Sequence, residues 1–113
     1  MSATPTGFGT DTETATAEPD HKTRRQPLYH VVLLDDDEHT YAYVIEMLGR
    51  LFGHPAARGY QLACEVDATG RAIVETTSME RAELKRDQIR AYGADPRLER
   101  SRGSMAAVIE PAV

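Results

Sequence analysis

Residues 29 to 41 read Tyr29-His30-Val31-Val32-Leu33-Leu34-Asp35-Asp36-Asp37-Glu38-His39-Thr40-Tyr41. A run rich in Val and Leu, too short for a helix, predicts a buried strand over 29 to 34. It stops at four consecutive acids, and a helical pattern starts just beyond them. Carboxylates crowded at the end of a buried strand repel one another and lose water at a cost. The arrangement therefore invites a cation: a metal ion, a basic side chain or an ammonium group.

Upstream of this stretch, residues 1 to 27 hold Thr, Gly, Pro, Ala and acids, with Phe8 the only large apolar residue after the initiator. Such a segment cannot build a core, so a disordered tail is predicted over 1 to 27 and a single folded domain over 28 to 113. The tail is either a solubilising segment or one that orders on a partner.

Downstream, Tyr41, Val44, Ile45, Leu48, Leu51 and Phe52 recur at steps of mostly three and four, which predicts a helix over 41 to 52 with one apolar stripe. Thr40 or Asp37 is placed to cap it, and Gly53 to end it. Pro55 opens a second helix to about Val66, where Gly59 and Ala63 are small enough for close approach to a neighbour. Asp67-Ala68-Thr69-Gly70 reads as a turn and 71 to 76 as a strand. Thr77-Ser78-Met79-Glu80 fits a T-x-x-E capping box for a third helix to about Tyr92. Met105 to Ile109 is the last expected strand. The order β-α-α-β-α-β predicts an α+β fold, a small sandwich of three strands and three helices.

The totals narrow the function. A chain of 113 residues allows one domain. Its net charge of -5 argues against a nucleic-acid partner, which asks for a basic face. A lone cysteine, Cys64, rules out an intrachain disulfide and fits a reducing cytoplasm; it reads as packing. No apolar core follows a basic start, so no secretory signal is expected, and no run approaches the roughly 20 apolar residues of a membrane span.

Four readings of the acidic loop stand side by side. It is a polar loop capping the next helix. It is the acidic pair of a phosphoacceptor receiver domain, although the chain from Tyr29 onward is too short for five strands and five helices. It is a magnesium or calcium site from Asp35, Asp36, Asp37 and His39, although the spacing lacks the Gly and the closing Glu of an EF-hand. Or it captures an organic ammonium at the mouth of an apolar pocket. An enzyme is not expected: no nucleophile is set with a base and an orienting group, and no glycine-rich phosphate loop is present.

The stretch Leu34-Asp35-Asp36-Asp37-Glu38-His39-Thr40-Tyr41-Ala42-Tyr43-Val44-Ile45 resembles the ClpS family pattern of strand-N-D-D-x-T-P-M-x-F-V-I. Gln61-Leu62, Val66, Gly70-Arg71-Ala72-Ile73 and Ala82-Glu83 continue the likeness at consistent offsets. ClpS proteins are adaptors that deliver N-degron substrates to the Clp protease. The resemblance implies a three-stranded antiparallel sheet packed with three helices. It also implies a pocket for a substrate's first residue and a tail that engages the N-terminal domain of a Clp AAA+ unfoldase. It implies a cytoplasmic monomer with no cofactor, no metal, no membrane and no nucleic acid. Carried over position by position, Asp35, Asp36 and Asp67 meet the substrate's α-amino group. His39, Tyr41, Val44, Ala63, Val66 and Met105 line its side-chain pocket.

The chain departs from the pattern at telling places. Asp35 stands for the family Asn, Asp67 for a His, Tyr41 for the gating Met and Ala63 for a second pocket Met. Three acids around one ammonium oversupply negative charge, so peptide affinity is expected to rise with pH through their coupled titration. Large Tyr41 against small Ala63 is expected to conserve pocket volume roughly while changing its shape. The alternative is a ClpS-fold regulator that docks on the unfoldase without reading N-degrons.

Overall fold

A computed structural model describes residues 26–113. The predicted tail lies, for residues 1–25, outside the described residues. The elements are β1 (Leu28–Leu34), α1 (Tyr41–Phe52), α2 (Ala56–Thr69), β2 (Arg71–Ser78), α3 (Met79–Arg90) and β3 (Ala107–Pro111). The sheet is antiparallel with the order β2-β1-β3, so the acid-tipped strand is central. The expected β-α-α-β-α-β sandwich is the observed fold.

Alternation along β1 sends Val31 and Leu33 into the core, where they join Ala72, Val74 and Ala107. Val32 points to the other face, in register with Ile73 on one side and Val108 on the other. The register with β2 slips between Val31 and Val32, a bulge that leaves Val74 as the extra residue. On the core face α3 packs across all three strands, α2 against β2, and α1 against α2. Gly59 allows that last approach: a β-carbon there would stand 3.2 Å from the Ile45 Cα.

Several boundaries differ from expectation, each for a local reason. The stripe of α1 is turned, so that Tyr43 and Met47 enter the core with Val44 and Leu48 while Tyr41 stays exposed. Residues 67–69 do not form a turn. α2 runs through them to Thr69, whose hydroxyl donates back to Glu65 O at 2.8 Å, and left-handed Gly70 (φ 90°) closes it. Asp67 therefore sits in a last helical turn. Thr77 does not cap α3, because pairing with β1 extends to Leu28–Ser78 and holds Thr77 opposite Tyr29. Ser78 caps instead, accepting from Arg81 N at 3.3 Å. The last strand is displaced to Ala107–Pro111, an edge strand where a proline needs no ladder donor.

Candidate functional site

The loop after β1 is held at both ends by backbone. Leu34 N donates to Ala106 O and Asp35 N to Gly70 O, both at 3.0 Å. These two bonds set the acidic loop between the C-terminus of α2 and the approach to β3. Thr40 then caps α1, its hydroxyl accepting from Tyr43 N at 3.1 Å.

Under the loop lies a carboxylate that the motifs did not single out. Asp95, 1% exposed, accepts from Thr40 N (2.7 Å), Thr40 Oγ1 (2.8 Å), Arg97 N (3.0 Å) and Arg97 Nη1 (3.2 Å). Burial alone pushes its carboxyl up, but these four donors outweigh burial and hold it down at about 2. Arg97 reaches on to Glu46 of α1 at 3.2 Å. Asp95 thereby ties the loop before β3 to the start of α1. Its sequence context, between Gly93 and Pro96, signals only a loop.

The predicted amine-binding acids occupy different settings. Asp36 Oδ1 accepts from Glu38 N at 2.9 Å and faces His39 Nδ1 at 2.7 Å. Oδ2 makes no hydrogen bond among the described residues. Asp35 is exposed at the strand end, and its side chain likewise has no bonded partner among the described residues. Asp67 Oδ2 accepts from the Tyr41 hydroxyl at 2.7 Å, so Asp67 faces α1. That bond, first, and the nearby carboxylate charge raise the Tyr41 phenol above its ordinary range. Asp67 stands at the negative end of α2, whose last turn carries no basic residue. A carboxylate there is unfavourable until a cation joins it. Among the described residues no three His, Cys, Asp or Glu side chains gather as a metal-holding group. Asp35, Asp36 and Asp67 thus form no chelating cluster among the described residues.

The predicted pocket residues divide in two. Val44, Ala63, Val66 and Met105, each at most 4% exposed, belong to the buried core together with Val31, Leu33 and Leu62. His39 does not line that pocket as an open wall. Its side chain is 1% exposed, with Nε2 on Gly103 O at 2.7 Å and the ring 4.5 Å from that of Tyr43. The ring spans from the acidic loop to the segment before β3. His39 thus orients Asp36 from below. Arg100 adds a second brace, its Nε donating to Asp37 O at 2.7 Å. Asp37 braces the loop through this carbonyl, and Thr40 does the capping. Tyr41 is 38% exposed, edge-on to Tyr60 with ring centroids 5.8 Å apart. Tyr60, Arg100 and Gly103 carried no motif signal, since each reaches the site from a distant segment.

Comparison with known proteins bears on the family and the fold. An ATP-dependent Clp protease adapter protein ClpS from Roseobacter denitrificans is 40% identical over 68 residues, 60% of this chain and 60% of that protein. The protein of the same description from Vibrio cholerae is 38% identical over 68 residues, 60% of this chain and 64% of its own length. The chain thus spans about three fifths of these relatives. The structure of Agrobacterium tumefaciens ClpS2 bound to L-phenylalaninamide superposes with a TM-score of 0.66. It is 24% identical, and the match covers 77% of this chain and 99% of that one; at that identity the likeness is one of fold. Residues 24–97 match the family model described as ATP-dependent Clp protease adaptor protein ClpS. With the sheet order and the acid-tipped central strand in place, that match settles the kinship: the chain belongs to the ClpS family of Clp protease adaptors.

Proposed function

We propose that this protein binds the N-terminal residue of substrate proteins and delivers them to a Clp AAA+ unfoldase for degradation. One observation carries the reading. Asp67, in the last turn of α2 after Ala63 and Val66, accepts from Tyr41 at the start of α1, three residues before Val44, so this carboxylate stands beside residues of the buried core, and Asp36 follows the central strand β1. An α-amino group offers three charged N–H donors to such carboxylates, and the side chain beside it meets apolar surface. L-Phenylalaninamide, the ligand of the Agrobacterium protein, carries both features. Asp35 adds negative charge next to Asp36. The adaptor acts without catalysis, as a cytoplasmic monomer whose N-terminal segment engages the unfoldase N-terminal domain. It needs no cofactor, metal, nucleic acid or membrane.

A second reading has its own support. Val44, Ala63, Val66 and Met105 are nearly closed to solvent and Tyr41 is bonded to Asp67, which suits a regulator that docks on the unfoldase and ignores N-degrons. Fluorescent peptides beginning with Phe, Leu, Tyr, Trp or Met, each with a free or an acetylated N-terminus, separate the two. The adaptor binds only free-amine peptides. Binding to the unfoldase with indifference to every peptide establishes the regulator.

A further inference from the structure

Tyr41 and Asp67 come from opposite ends of the helical pair, the first residue of α1 and the last turn of α2, yet they meet at 2.7 Å. Val44 lies three residues after Tyr41, while Ala63 and Val66 lie four and one before Asp67. At helical spacing, Val44 is on the face of Tyr41, and Ala63 on the face of Asp67. The bond therefore bridges α1 and α2 beside the buried apolar cluster. The Tyr41 ring is exposed, edge-on to Tyr60, which is itself 53% exposed. Its hydroxyl bond to Asp67 thus holds a partly exposed ring whose other neighbours, Tyr60 and Cys64, lie on α2.

We infer that Tyr41 is a lid, its hydroxyl holding the place on Asp67 that a ligand's ammonium takes, so that ligand capture breaks the Tyr41–Asp67 hydrogen bond. The inference rests on the adaptor reading and adds a competition to it. The exchange replaces a neutral O–H donor with a charged N–H donor, at a carboxylate that already stands at the negative end of a helix. Tyr60 supplies an aromatic edge for the ring, and Cys64, half-buried on the same helix, adjoins both phenols. No bond other than hydrogen bonds changes.

The test uses the full chain, L-phenylalaninamide as probe, and NMR of tyrosine labelled at Cζ, with the Tyr41 signal assigned by its loss in Tyr41→Phe. Tyr41→Phe keeps the ring and removes the competitor, so it binds the probe roughly fivefold to tenfold more tightly than wild type. In wild type at about pH 7, saturating probe moves the Tyr41 Cζ resonance toward that of a solvent-exposed tyrosine, and Asp67→Ala does the same without probe. Probe binding that is equal or weaker in Tyr41→Phe overturns the lid and leaves the adaptor reading standing. A Tyr41 Cζ resonance indifferent to Asp67→Ala also overturns the lid, because the bond is then absent in solution. No binding of the probe by either protein overturns the adaptor reading, and the lid with it.

Discussion

Replacing Asp95 with Asn tests the keystone beneath the site. The substitution preserves size but removes the charge and turns an NH2 toward donors. Four donors point at this carboxylate, two from Thr40 and two from Arg97. The amide oxygen can serve one pair, so the other pair loses its acceptor and Arg97 loses its counter-charge. Two buried bonds to a charged group, each about 1.5 kcal/mol, give a loss of about 3 kcal/mol. With a urea dependence of about 1.5 kcal/mol per M, the unfolding midpoint falls by roughly 2 M at unchanged slope. The pH dependence adds a second check. The folded Asp95 carboxyl, at about 2, lies below the ordinary value of 3.8. Its stabilisation is therefore fully present above about pH 4 and is lost as pH falls from there toward about 2, so the two proteins converge in stability across that window. A difference under about 0.5 kcal/mol at neutral pH refutes the reasoning. So does a difference that stays constant down to about pH 2.

Three further outcomes are expected. His39→Ala removes the ring between Asp36 and Gly103 and its packing on Tyr43; urea unfolding should show a loss of about 2 kcal/mol, and N-terminal peptides should bind more weakly as Asp36 loses its brace. The double change Tyr41→Met with Ala63→Met should alter the order of preference among Phe, Leu, Tyr and Trp peptides in a fluorescence titration; an unchanged order separates these residues from ligand choice. Gly59→Val drives a branched side chain toward the Ile45 Cα, which lies only 3.2 Å from where the new β-carbon would stand, and should cost more than about 2 kcal/mol by thermal or urea unfolding.

The chain by itself determined the order of elements, because period and punctuation are local. The Val-Leu run ending in acids needed no neighbour to read as a strand, and Gly53 and Gly70 end their helices through a backbone freedom that other residues lack. Family resemblance also placed Asp36, Asp67 and the apolar residues as candidates for one site. Boundaries that depend on pairing were not local: Thr77 belongs to β2 because β1 extends to meet it, leaving the cap to Ser78. The α1 stripe points to Tyr41, yet packing against α2 and α3 buries Tyr43 and Met47 and leaves Tyr41 exposed.

Only the tertiary structure decided what the acids do. The Asp35-Asp36-Asp37 run fixes their number, but hydrogen bonds set the roles of Asp36 and of the other carboxylates, and several of the partners come from distant segments. His39 finds its second partner in Gly103, Asp37 is braced by Arg100, Asp67 is met by Tyr41, and Asp95 anchors Thr40 across 55 residues. Hydrogen bonds act over about 3 Å of space and are indifferent to separation along the chain. A sequence can supply a donor and an acceptor, but only folding brings them within that distance.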